Sequence, residues 1–276
     1  MQMAPAQRQH VALSPWEELL SLTRNIELWS TLAWSDTKLR YRRTRIGPLW
    51  VSLSTGLTVL MVGMVYGGIF GTPTGMTLSG YMAFFACGLV IWTFISSTVT
   101  ESCTVFMQAG PLIKALPVPL LLHVFRMMAR NLVLLGHNLL VIVILWLVTP
   151  WALGWSTLLV VPGFILLFLA LVGVVLTLSV VCARFRDIQQ IVAALLQLMF
   201  LLTPIIWPPE ALAATRAKLL LVLNPVYYLI EVVRGPLLGT PVDPKIWGVA
   251  ALLALVSFYV GLVAYGRYRH RIAYWL

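Results

Sequence analysis

Residues 131–183 read NLVLLGHNLLVIVILWLVTPWALGWSTLLVVPGFILLFLALVGVVLTLSVVCA, 53 positions without one Asp, Glu, Lys or Arg. A helix rises about 1.5 Å per residue and a bilayer's hydrocarbon core is about 30 Å thick, so about 20 apolar residues make one crossing. The stretch is long enough for two. Thr149-Pro-Trp-Ala-Leu-Gly-Trp155, near its middle, has the composition of a turn. These residues therefore predict a helical hairpin through a membrane.

Three more charge-free stretches lie around it: 46–100 (55 residues), 188–209 (22 residues) and 246–266 (21 residues). The first holds a second hairpin, broken at Gly71-Thr-Pro-Thr-Gly75, and each of the others one helix. The expectation is an all-α integral membrane protein, one transmembrane domain over 1–276. Its six spans fall at 46–71, 79–100, 131–149, 157–183, 188–206 and 246–266. The 276 residues are 60% hydrophobic and 10% charged, against about 25% charged for a soluble domain, which excludes an ordinary globular protein.

Six crossings put both termini on one side. Residues 1–45, 101–130, 184–187 and 267–276 carry 15 Lys and Arg, while the opposite side has only Arg216, Lys218, Arg234 and Lys245. The basic side faces the cytoplasm. The net charge of +10 is then a matter of topology and anionic lipid, not of nucleic acid. Cys87, Cys103 and Cys182 lack the paired spacing of a disulfide framework or a zinc site. The first 45 residues contain no apolar core followed by a cleavage site, so no cleaved signal peptide is expected.

Between these landmarks lie four unusual segments. Ser14-Pro15-Trp16-Glu17 has the form of a helix start. Trp16, Leu19, Leu20, Thr23, Ile26 and Trp29 follow at helical spacing, so 14–45 is read as a cytoplasmic interfacial helix and basic cluster. The cluster, Lys38-Leu-Arg-Tyr-Arg-Arg-Thr-Arg45, reads either as an orienting anchor or as a landing site for a phosphorylated lipid headgroup. Gly110-Pro-Leu-Ile-Lys-Ala-Leu-Pro117, in a cytoplasmic region over 101–130, is too short to span and too apolar for a solvated loop. It must lie on the membrane or on a partner. Residues 207–243 on the outer side hold Pro208, Pro209, Pro225, Pro236 and Pro241 beside short apolar runs, which fits re-entrant helices broken at Asn224-Pro225. In the first span, Gly56, Gly63, Gly67, Gly68 and Gly71 have the spacing of close helix packing.

Phosphate-cradling, dinucleotide-binding, zinc-protease and nucleophile-elbow motifs are all missing. His123 and His137 are isolated, and the spans so defined hold no acidic relay for an ion-driven carrier. If the chain transports, its energy must come from elsewhere.

Asp36-Thr-Lys-Leu-Arg-Tyr-Arg-Arg-Thr-Arg-Ile-Gly-Pro-Leu-Trp50 resembles a motif of the membrane subunits of ABC exporters for bacterial polysaccharides. So do Gly110 to Pro117, Asp187-Ile-Gln-Gln-Ile-Val192 leading to Leu202-Thr-Pro-Ile-Ile-Trp207, and Asn224-Pro-Val-Tyr-Tyr228 with Glu231 and Arg234-Gly-Pro-Leu-Leu-Gly239. The similarity runs from about Ser14 onward. It implies a homodimer in the bacterial inner membrane, joined to two copies of a separate ATPase that binds ATP and Mg. This chain would bind no cofactor or metal and perform no catalysis. The cargo implied is an undecaprenyl-diphosphate-linked polysaccharide such as O-antigen, capsule or teichoic-acid polymer, carried from cytoplasm to periplasm.

The resemblance also implies roles. Gly110, Pro111, Leu112, Ile113, Lys114, Ala115, Leu116 and Pro117 would couple to the ATPase. Arg40, Arg42, Arg43 and Arg45 would meet the lipid headgroup. The first and fifth spans would line the channel, with Tyr66, Phe70, Phe200 and Trp207 as candidate sugar-facing aromatics. Pro204, Pro208, Pro225, Tyr227 and Tyr228 would close the outer mouth. A drug or small-lipid exporter of the same superfamily is the alternative. A membrane glycosyl- or acyltransferase would need a catalytic pair at the lipid phosphate, and Glu101 and Asp187 are the only inner-surface acids close to spans.

Overall fold

The computed structural model describes residues 26–42, 44–115, 118–212 and 218–276, with Glu17, Glu18 and Leu20. Ser14, Pro15 and Trp16 of the expected helix start lie outside the described residues, as do Arg43, Leu116 and Pro117. Among the described residues the structure is helical, without strands. Its helices are α1 (Ile26–Arg40), α2 (Leu49–Thr74), α3 (Leu78–Ser102), α4 (Val105–Ala115), α5 (Leu120–Val148), α6 (Val160–Arg184), α7 (Ile188–Leu202), α8 (Lys218–Leu223), α9 (Pro225–Leu237) and α10 (Pro244–Trp275).

Five of them, α2, α3, α5, α6 with the 3-10 turn Trp155–Leu159 that leads into it, and α10, are long and apolar enough to cross a membrane. The expected crossing over 188–206 is different. Helix α7 has 15 residues, about 22 Å at 1.5 Å per residue, and so falls short of the hydrocarbon thickness. Pro204 explains the stop, since the residue before a proline is pushed out of the helical region and Thr203 is extended at φ −85°, ψ 137°. The next residues, Thr203, Pro204 and Ile205, are buried without being helical.

Helices also overrun the limits that charge suggested. Helix α2 continues through Pro73 and ends at Gly75, whose φ of 69° is the left-handed conformation glycine accepts. Helix α5 begins at Leu120 and carries Arg126 and Arg130 inside it. The acidic Glu101 lies in the last turn of α3. Charge marks where bilayer ends, while a helix continues as long as its charged residues find partners. The turn at Thr149–Trp155 falls where its composition put it, between Val148 and the 3-10 turn.

Helix α3 runs through the middle of the molecule, with Phe84, Phe85, Val90, Trp92, Phe94 and Ile95 all buried. Helices α6 and α10 lie against one another at backbone contact. A Cβ added at Gly173 would collide with the Ser257 and Phe258 backbone, and one at Gly261 with Gly173. Ser257 Oγ donates to the Ala170 carbonyl across this seam at 3.2 Å. In α2, Gly63 faces Met82 and Gly67 faces Leu78, whereas a Cβ on Gly68 would meet nothing. Two of the expected packing glycines therefore seat α2 on α3.

The structure leaves long apolar faces uncovered. Leu53, Leu57, Leu60, Met61 and Met64 are exposed on α2, and Ile191, Leu195, Leu198 and Leu202 form one exposed stripe on α7.

Candidate functional site

The end of the bundle that carries α1 and α4 is organised by charge. Asp36 on α1 accepts from Arg126 Nε at 2.6 Å, and from Arg126 Nη2. Arg130 lies between the two acids, 3.6 Å from Asp36 and 2.7 Å from Glu101. Arg40 reaches Glu101 at 2.9 Å, and Asn131 Nδ2 donates to it at 2.8 Å. Asp36, Glu101, Arg126 and Arg130, with His123 and with Val105, Gln108 and Ala109 of α4, line a polar cavity of about 270 Å³. Helix α1 is thereby tied to α3 and α5 beside α4. The acids and arginines were visible as separate residues, but nothing in their spacing announced that they meet.

Helix α4 contains the Gly110 to Ala115 part of the short apolar stretch and begins earlier, at Val105. Phe106, Gly110 and Ile113 are buried while Gln108, Pro111, Lys114 and Ala115 are exposed. One face is thus seated on the protein and the other is open. The C-terminal Leu276 side chain approaches Gly110 from below, about 4.0 Å from where its Cβ would stand.

The basic cluster divides. Arg40 is paired with Glu101, and Lys38 lies over the Trp34 ring at 5.5 Å. Arg42 and Arg45 are exposed in the turn before α2, where Gly47 at φ 64° swings the chain into the helix. A third charged group joins Glu18 to α10, with Tyr265 Oη at 2.8 Å and Arg269 at 3.2 Å.

At the opposite end, Asn224 follows α8 and caps α9. Its Oδ1 accepts from Val226 N at 3.0 Å and Tyr227 N at 3.3 Å, while Pro225 occupies the first helical position. Its Nδ2 donates to Thr203 Oγ1 at 2.8 Å, which fixes α9 to the segment after α7. The break expected at Asn224-Pro225 is thus present between α8 and α9.

Arg234, counted from the sequence as an ordinary outer-side cation, is 1% exposed. It pairs with Glu231, donates to the Pro204 carbonyl at 2.5 Å, and lies 4.1 Å from the Phe84 ring centroid. Buried arginine demands such complete pairing.

Of the outer-mouth residues, Pro204 and Pro208 are buried and Pro225 is exposed. Tyr227 and Tyr228 meet edge to face at 5.3 Å, and Tyr228 Oη donates to the Val222 carbonyl at 3.0 Å. Burial, and then the Glu231 carboxylate, push the Tyr227 phenol up to about 12, so it stays protonated.

The candidate channel aromatics lie on α2, on α7 and in the segment after α7. Tyr66 is exposed on α2, and the Phe70 side chain lies outside the described residues. Phe200 rests on Trp92 at 5.7 Å, and Trp207 Nε1 donates to the Leu201 carbonyl at 3.1 Å.

A bundle with five helices long and apolar enough to cross a membrane, with charge networks at both ends, defines a multi-pass membrane protein. Residues 27–238 match the family model described as ABC-2 type transporter, and the chain belongs to that family. It is similar to a Klebsiella pneumoniae protein named "O-antigen export system permease protein RfbA". Identity is 23% over 244 residues, covering 86% of this chain and 90% of the relative. A Myxococcus xanthus protein of the same name is 28% identical over 205 residues, covering 72% of this chain and 76% of the relative.

Proposed function

We propose that this chain is the transmembrane subunit of an ATP-driven exporter that moves an undecaprenyl-diphosphate-linked, O-antigen-like polysaccharide from cytoplasm to periplasm through a homodimeric channel. The observation that carries the reading is similarity along most of the chain to O-antigen export permeases. Membership of the ABC-2 family supports an ATPase partner that holds ATP and Mg. Both termini are cytoplasmic, by the distribution of Lys and Arg.

In this reading α7 and the non-helical residues after it make up the crossing that α7 is too short to complete alone. Irregular backbone is tolerated at membrane depth when protein buries it, and Thr203 to Ile205 are buried. Helices α8 and α9 then re-enter from the periplasmic side, and Tyr227 and Tyr228 belong to the outer gate. The open face of α4, with Pro111 and Lys114, docks on the ATPase. The exposed faces of α2 and α7 serve the channel and the second protomer. Arg42 and Arg45 receive the anionic headgroup.

The test is to purify the chain with the ATPase encoded beside it and measure polymer-dependent ATP turnover. It is paired with deletion of the gene in the native bacterium. Long polymer trapped in the cytoplasm is the expected result. Normal surface polymer with a defect in drug or small-lipid efflux would overturn the reading.

A further inference from the structure

Helix α10 is longer than a crossing requires. Its charge-free stretch, 246–266, is about 31 Å long at 1.5 Å per residue and already matches a hydrocarbon core of about 30 Å. The helix nevertheless continues to Trp275, about 13 Å further. The headgroup layer adds only about 5–8 Å on each side. The last turn of α10 therefore stands beyond it, in water.

That turn is aromatic and basic. Trp275 meets Tyr268 at 6.0 Å between ring centroids, and the Arg184 guanidinium lies between two rings, 5.3 Å from Trp275 and 5.2 Å from Phe185. Phe185, large and apolar, is 55% exposed. Arg184, Arg186 and Arg271 are exposed as well, and none of the ion pairs among the described residues includes them. Arg271 is four residues from Trp275 and so shares its side of α10. Aromatic rings and arginine are the residues in which protein interfaces are enriched. A tryptophan of the membrane's aromatic belt would stand at headgroup depth instead.

The position of this patch identifies its partner. Leu276, next to Trp275, packs toward Gly110 of α4, so the patch continues the open face of α4. Its three arginines outweigh the carboxylate of Asp187, which calls for an acidic partner surface. Helices α6 and α10 are locked backbone to backbone at Gly173 and Gly261, so both halves of the patch sit on one rigid pair.

We propose that Arg184, Phe185, Arg271 and Trp275 form a second docking patch for the ATPase, beside α4, on a part of that chain that presents carboxylates around an apolar recess. The patch gives the ATPase a hold on the α6–α10 pair as well as on α4. The inference rests on the export reading for the identity of the partner, and on the patch for its location.

The test uses the full chain in phosphatidylethanolamine–phosphatidylglycerol nanodiscs with the ATPase encoded beside it. A benzophenone amino acid for photo-crosslinking replaces Phe185 or, as control, Ala273, which is exposed about 200° round the helix from Trp275. The expected adduct at position 185 is the ATPase, roughly tenfold more abundant than at position 273, about 1.4 kcal/mol of preference. Arg184→Glu together with Arg271→Glu should lower ATPase affinity roughly tenfold and flatten its salt dependence. Gel filtration of the chain alone should not change.

Lipid adducts alone at position 185, or equal ATPase adducts at both positions, would overturn the patch. Wild-type affinity and salt dependence in the double variant would do so too. If Lys114→Glu weakens ATPase binding in a protein that gives either result, this patch is rejected and α4 keeps its role. A wild-type chain that binds no ATPase at all rejects the export reading itself.

Discussion

Arg234 on α9 donates from Nη1 to the Pro204 carbonyl oxygen at 2.5 Å, across thirty positions of sequence. The acceptor is backbone that has left the helical ladder after α7, and the donor is a side chain 1% exposed. A carbonyl outside regular structure must find a donor when buried. Arg234 supplies it and joins α3, α9 and the segment after α7 at a single point.

Replacing Arg234 with Met is therefore expected to leave Glu231 and the Pro204 carbonyl without their donor. Breaking a buried pair from one side costs about 3–5 kcal/mol. Thermal unfolding in detergent should show the loss, and Arg234→Lys should recover only part of it because an ammonium cannot reproduce the fork. A wild-type melting profile for Arg234→Met would contradict this role.

The network of Asp36, Arg126, Arg130 and Glu101 predicts a local effect. In Asp36→Asn the hydrogen bonds to Arg126 lose charge assistance, worth about 1–2 kcal/mol for groups at this degree of burial. Amide exchange across 26–40 should accelerate roughly tenfold while α3 and α6 stay protected. Charge exchange, Asp36→Arg with Arg126→Asp, should restore part of the protection. Uniform acceleration throughout the chain would point instead to general destabilisation.

At the α6–α10 seam, a side chain on Gly173 or Gly261 meets backbone, which cannot step aside as a flexible side chain does. Gly173→Leu and Gly261→Val are expected to abolish the monodisperse peak in fluorescence-detected gel filtration. Gly248→Ala, in open space on the same helix α10, should leave it unchanged.

Lys114 and Leu112 test the α4 assignment. Lys114 is exposed and Leu112 half-buried, so Lys114→Glu and Leu112→Asp should insert normally. Polymer-dependent ATP turnover is expected to fall by roughly tenfold or more in each, the scale of about 1.4 kcal/mol of lost coupling. Full transport in both variants would remove α4 from the coupling path. Ile113→Asp is the wrong probe, because Ile113 is buried and its loss would act through folding.

Much of this architecture was readable in the chain itself. Stretches without charge located the five long helices and the core of α7, because hydrocarbon excludes ions whatever the partners are. Thr149–Trp155 and Asn224-Pro225 marked real breaks, because proline and capping residues act on their immediate neighbours. The Gly110 to Pro117 segment stood out as apolar and short.

What only the tertiary structure decided are the meetings between distant residues: Asp36 with Arg126, Gly173 with Ser257, and Arg234 with Pro204. Hydropathy measures the cost of taking each side chain out of water. It is a sum over residues and contains no pair terms. Whether a charge inside a helix is paired, or a glycine meets backbone or open space, depends on pairs brought together by folding, and these separate the buried Arg234 from the solvent-facing Arg42 and Arg45.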